Sequence, residues 1–239
     1  MIGQSNMAGR GDLCDVEPIK NPHCYMLRMG RWIEMSEPVN PDRPVTVNGR
    51  GGSGISLAAR FADEYAKKYG EDVGLIPAAY GGTSLSDWQP GGILFDHAVA
   101  ISKIAQRSSR IIGILWHQGE YDANLMKNVS TYRERFINMT DALFHELELA
   151  EDTPIIIGGV GDFLDTYTPL SLPLGRELNR ELQGIRQYRP NVAFASAEGL
   201  TCKNDNIHFD SVSLRIFGKR YFTEYEKLIE KKKANSSSE

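Results

Sequence analysis

The chain has 239 residues, 41% of them hydrophobic, with a formal net charge of −4. That length can bury a sizeable core, and the acidic balance excludes nucleic acid as the main partner, since phosphate binding needs a clustered basic surface. No apolar stretch approaches the roughly twenty residues that span a bilayer. No basic-then-apolar leader is visible, and Cys14, Cys24 and Cys202 have no CxxC spacing. No membrane, no disulfide framework and a reducing, cytoplasmic setting are therefore expected.

The chain opens MIGQSNMAGRG, where Gly3 to Gly9 suit a tight turn that lifts the Ser5 hydroxyl above the backbone. Residues 12–53 read as a long irregular region. Near its end Gly49-Arg50-Gly51-Gly52-Ser53-Gly54 matches G-x-G-x-x-G, but Glu71 and Asp72 lie at the start of the next strand. A dinucleotide site needs its acid at the strand's other end, so this is read as a covering loop. A helix follows, with Leu57, Phe61, Tyr65 and Tyr69 on one face.

Continuous apolar runs predict strands at 72–80, 110–117, 154–160 and 192–195. Such runs fit a parallel sheet covered on both faces. Between them, Tyr132, Phe136, Met139, Leu143 and Leu147 form one helical stripe, with Thr131-x-x-Glu134 as its capping box. Residues 162–176 form a second irregular region. A last helix from about Ser211 carries Leu214, Phe217, Tyr221 and Leu228, and residues 231–239 read as a polar tail. The alternation predicts a doubly wound α/β fold, with one domain over residues 1–230.

In such a sheet the crevice lies at the carboxyl ends of the strands. Gly81-Gly82 follows one strand, Gln118-Gly119-Glu120-Tyr121-Asp122 another, and Asp205-Asn206-Ile207-His208 precedes the last helix. These are the parts of an acyl-transfer site. A serine hydroxyl needs a base, for which His208 is the candidate, and Asp205 three residues earlier could hold its ring. Gly81-Gly82 amides and the Gln118 side chain could donate to an oxyanion. His117 to Asp122 lacks the His-Glu-x-x-His spacing of a metal site. Trp88 either stacks on a sugar or caps the core.

In this order GQSNMAGRG, AAYGGTSLSDW, WHQGEYD and DNIHFD resemble the four blocks of the SGNH-hydrolase superfamily. The resemblance is closest to carbohydrate esterase family 6 and the sialate O-acetylesterase group, which includes acetylxylan-esterase-related proteins. It covers roughly residues 2–225. It implies a three-layer α/β/α, flavodoxin-like fold and metal-independent ester hydrolysis without a cofactor. Ser5 would be the nucleophile, His208 the base, and Asp205 or Glu120 the acid. The Ser5 amide, Gly81 or Gly82, and Gln118 would form the oxyanion hole, with Gln4, Asn6 and Trp88 as substrate contacts.

Two departures stand out. Only Met1 and Ile2 remain of the apolar strand that normally precedes GQSNM, and Tyr121 stands where the family usually has serine. The expected activity is removal of O-acetyl groups from a carbohydrate, acetylxylan or another acetylated sugar. The alternative is a carbohydrate-binding protein on the same fold.

Overall fold

Alternate residues of the central strands enter two separate cores. In the computed structural model, which describes residues 1–45, 52–166 and 173–236, Leu115 and Ile156 pack on one side, and Ile114, Trp116, Ile155 and Ile157 on the other. Strand side chains point to opposite faces in turn, so an unbroken apolar run must have protein on both.

The elements in chain order are β1 (Ile2–Gly3), α1 (Ser5–Ala8), β2 (Cys24–Arg28), β3 (Arg31–Glu34), α2 (Leu57–Tyr69), β4 (Val73–Leu75) and α3 (Ile93–Gln106). There follow β5 (Ile114–His117), α4 (Met126–Ser130), α5 (Tyr132–Leu147), β6 (Ile155–Gly158), α6 (Gly175–Gly184), β7 (Val192–Ala195) and α7 (Ser211–Ser236). The central sheet runs β1-β5-β6-β7, parallel throughout. Residues of α2 and α7 fill the core on one face, where Phe61 meets Phe222 and Tyr225 edge-on at 5.9 and 5.5 Å. Residues of α3, α5 and α6 fill the other.

The expected strand over 72–80 serves two sheets. Val73–Leu75 pairs with β2, in the order β3-β2-β4. The chain then runs on beside β1, where the Ala78 and Tyr80 N–H groups donate to Met1 O and Gly3 O at 3.1 and 2.9 Å. Pro77 between them has no N–H to give, which interrupts the ladder.

Several expectations need correction. Residues 12–53 are not wholly irregular, because they hold the β2–β3 hairpin. The Thr131 capping box does not form: α4 ends at Ser130, and the Thr131 hydroxyl donates back to Lys127 O at 2.8 Å. The helix α7 runs to Ser236, so the tail is helical over 231–236. Gly49, Arg50 and Gly51, the first half of the Gly49–Gly54 motif, lie outside the described residues. Among the described residues no helix is long and apolar enough to cross a membrane.

Candidate active site

Ser5 starts the helix that follows β1, and β1 can lie close against β5 because residue 3 is glycine. Its φ is +130°, and a Cβ there would sit 2.1 Å from His117 O. The next N–H, of Gln4, donates to that same carbonyl at 2.8 Å. Ser5 is thereby pinned beside the end of β5.

His208 arrives from the other side, on the loop between β7 and α7. A backbone bridge from Cys202 to Phe209 closes this loop, and Lys203 Nζ ties it to Asp12 and to Arg10 O at 2.8 and 2.9 Å. His208 Nε2 lies 3.0 Å from Ser5 Oγ, and its Nδ1 lies 2.8 Å from Asp205 Oδ2. Asp205 also accepts from the backbone N–H groups of Ile207 and His208, at 3.1 and 2.9 Å. The three-residue spacing works because the carboxylate folds the turn that presents the ring. Burial raises the Asp205 pKa, but these hydrogen bonds and the imidazole outweigh it and bring the carboxyl down to about 2.

Glu120 does not touch His208. It is buried, and its Oε1 accepts from His117 Nε2 at 2.8 Å and Asn6 Nδ2 at 2.5 Å. Asn6 in turn donates to Ile207 O and accepts from Phe209 N–H, both at 3.1 Å, gripping the chain on each side of His208. Burial works to raise the Glu120 pKa, while His117 and the hydrogen bonds from His117 and Asn6 hold it below the ordinary carboxylate range. Asn6 is fully buried and spent on this grip, so it is not a substrate contact. Among the described residues no group of three or more His, Cys, Asp or Glu side chains could hold a metal ion.

The oxyanion donors differ from the expectation in two places. Gly81 N–H donates to Asp42 Oδ2 at 2.8 Å and is not free. Asp42 is held in turn by both terminal nitrogens of Arg10, at 2.9 and 2.7 Å. Gln118 is fully buried, and its Nε2 faces Asp122 Oδ2, Thr83 O and Gln4 Oε1 at 2.7, 3.0 and 3.2 Å. Its amide therefore does not reach the reacting oxygen. Among the described residues, Ser5 N–H and Gly82 N–H meet no acceptor. Gly82 has φ +79° and nothing within 4 Å of where a Cβ would stand, so its backbone is open to a ligand.

Trp88 is a core residue. It is 1% exposed, meets Trp116 edge-on at 5.7 Å, and donates from Nε1 to Thr83 Oγ1 at 3.1 Å. Trp88→Ala is expected to cost about 3–5 kcal/mol of stability. Urea unfolding should show it as a lower midpoint at unchanged m.

Ser5, His208, Gln4, Gly81 and Gly82 line a pocket of about 300 Å³, joined by Arg10, Arg43, Tyr121, Asn124 and Ile207. Sequence reasoning missed Arg10, Arg43 and Asn124. Tyr121, noted only as a departure, is 46% exposed on the wall. Another cavity, of about 290 Å³ beside Met1 and Tyr225, is lined by no histidine.

With this geometry in hand, comparison with known proteins decides the family. A family model described as carbohydrate esterase, sialic acid-specific acetylesterase, matches residues 1–227. The chain belongs to this carbohydrate esterase family. A probable carbohydrate esterase of Arabidopsis thaliana, At4g34215, is 28% identical over 230 residues, covering 87% of this chain and 82% of its own. The crystal structure of the At4g34215 protein matches with a TM-score of 0.81 at 24% identity, over 95% of both chains. NanS matches with a TM-score of 0.76 at 16% identity, over 96% of both chains. XAC1771, a carbohydrate acetylesterase from Xanthomonas citri, matches with 0.63 at 16% identity, over 92% of this chain and 54% of its own. The mixed α/β fold with its central parallel sheet is shared with these solved structures. Membership of a carbohydrate esterase family makes the chemistry hydrolysis of an ester.

Proposed function

We propose that this carbohydrate esterase is a serine O-acetylesterase that works through an acetyl-enzyme on Ser5. One observation carries the reading: the unbroken chain from Ser5 Oγ to His208 Nε2 at 3.0 Å, and from His208 Nδ1 to Asp205 at 2.8 Å, at the wall of an open pocket.

Ser5 Oγ bonds to the acetyl carbonyl carbon as His208 Nε2 takes its proton, and the carbonyl π pair moves onto oxygen. Collapse of that intermediate breaks the bond to the sugar oxygen, which leaves with the proton from His208. Water then repeats the sequence on the acetyl-serine, releasing acetate and restoring the hydroxyl. Asp205 fixes the ring tautomer and stabilises the imidazolium that forms. The sugar is placed against the exposed ring of Tyr121, with Arg43 on the same pocket wall. Aromatic faces suit the apolar faces of sugar rings, as they suit other apolar groups.

The test is acetate release from a panel of acetylated xylo-oligosaccharides and O-acetylated sialic acids, beside p-nitrophenyl acetate. Acetate should be released from at least one sugar ester and from the chromogenic ester. Sugar binding without any acetate release would overturn the reading and favour a binding protein.

A further inference from the structure

The carboxamide of Gln4 is nearly buried, at 2% exposure, yet it lines the pocket with Ser5 and Gly82. Its Oε1 lies 3.2 Å from Gln118 Nε2. Among the described residues its own Nε2 has no acceptor. Nor is that nitrogen among the polar atoms sealed away without a partner. An unbonded amide that is not sealed off is open to the pocket that the residue lines.

The orientation of this amide is set by a chain of hydrogen bonds. Trp116 Nε1 donates to Tyr132 Oη at 3.2 Å, and the Tyr132 hydroxyl donates to Gln118 Oε1 at 2.7 Å. Gln118 therefore must turn its NH₂ the other way, toward Asp122, Thr83 O and Gln4. Asp122 is itself fixed by Arg135 Nη2 at 3.0 Å and by Leu85 N–H at 2.8 Å. Flipping Gln118 would set its oxygen against a carboxylate and a carbonyl. Flipping Gln4 would set NH₂ against NH₂. Both amides have one favourable orientation, and it leaves the Gln4 NH₂ facing the pocket.

We infer that Gln4 is a catalytic residue whose side-chain NH₂ donates to the oxyanion beside the Ser5 and Gly82 N–H groups, and that Gln118 is the positioning residue that aims it. This rests on Ser5 being the nucleophile. A buried, pre-aimed donor costs no reorganisation as charge develops, so its contribution is made mainly in the transition state. The buried network thus explains why an amide side chain belongs at both positions: one donates to the reaction, and the other holds the first.

Gln4→Ala and the near-isosteric Gln4→Met are expected to lower kcat for p-nitrophenyl acetate by about 10²–10³ with KM nearly unchanged. An alkylboronic acid, which forms a tetrahedral adduct on the serine, should lose affinity by about the same factor. Gln118→Ala should lower kcat less, since the freed Gln4 amide can still reach the oxygen part of the time. Gln4→Met keeps the side-chain volume if Gln4→Ala fails to fold. A Gln4→Met enzyme with kcat intact and KM raised would overturn the assignment and make Gln4 a substrate-binding residue. Undiminished boronate binding would do the same. Labelling of wild-type Ser5 by a fluorophosphonate separates the two levels: with Ser5 labelled, such a result counts against Gln4 alone, and with Ser5 unlabelled the serine reading itself fails.

Discussion

Ser5→Ala is expected to lower kcat for acetyl-ester hydrolysis by on the order of 10⁶, the scale on which loss of a serine nucleophile acts in other hydrolases. The variant should stay folded. Ser5 is 5% exposed, and its hydroxyl bonds only to His208, so the change removes one bond and leaves no buried group unpaired. Substrate should still bind, because Tyr121, Arg43 and the free backbone amides of the pocket remain. Steady-state rates and an equilibrium binding measurement on the same preparation check both halves.

Asp205→Asn should lower kcat by on the order of 10⁴, the effect of an amide that favours the wrong histidine tautomer. Glu120→Gln should lower it far less. Glu120 reaches the catalytic ring only through Asn6 and the backbone on either side of His208, and a glutamine Oε1 can still accept from Asn6. The opposite order of effects would give Glu120 the acid's role. The pH dependence follows from the same carboxylate. With its folded value depressed to about 2, against about 3.9 unfolded, Asp205 contributes stability that is fully present above that unfolded value. The contribution is lost as pH falls toward 2. Asp205 thus stays charged from neutral pH down to about 4, so activity lost in that window does not come from protonation of Asp205. Rate profiles of the wild type against pH, with unfolding followed alongside, read the two separately.

Much of the fold was legible because the strands at 114–117, 155–158 and 192–195 are continuous apolar runs. Such runs leave little choice but a two-sided core. The hairpin over Cys24–Glu34 was not, since one of its strands is mostly exposed and lacks a clean alternation. Thr131 and Glu134 have the capping spacing, but the preceding α4 supplies a carbonyl that takes the hydroxyl first. In the site, Ser5, His208 and Asp205 could be brought together from spacing and strand order, because Ser5 starts the helix after β1 and Asp205 and His208 share the loop that leads into α7. The oxyanion donors could not. Gly81 is diverted by Asp42, thirty-nine residues away in sequence, and Gln118 by a buried network through Asp122 and Tyr132. Asp42 is a long-range competitor for a hydrogen. Asp122, though four residues from Gln118, is fixed by Leu85 N–H and Arg135, which no local pattern announces. Trp88 was ambiguous for the same reason: aromatic side chains serve cores and sugar sites alike, and only the packing against Trp116 separates the two.

The central claim is an acetyl group carried on Ser5. Wild-type enzyme mixed with excess p-nitrophenyl acetate and quenched in acid within the first turnovers should yield one acetylated peptide by mass spectrometry, the one that contains Ser5. The adduct should be absent from Ser5→Ala and from His208→Ala. Rapid acetate release with no adduct on Ser5, or an adduct that persists in Ser5→Ala, would contradict it.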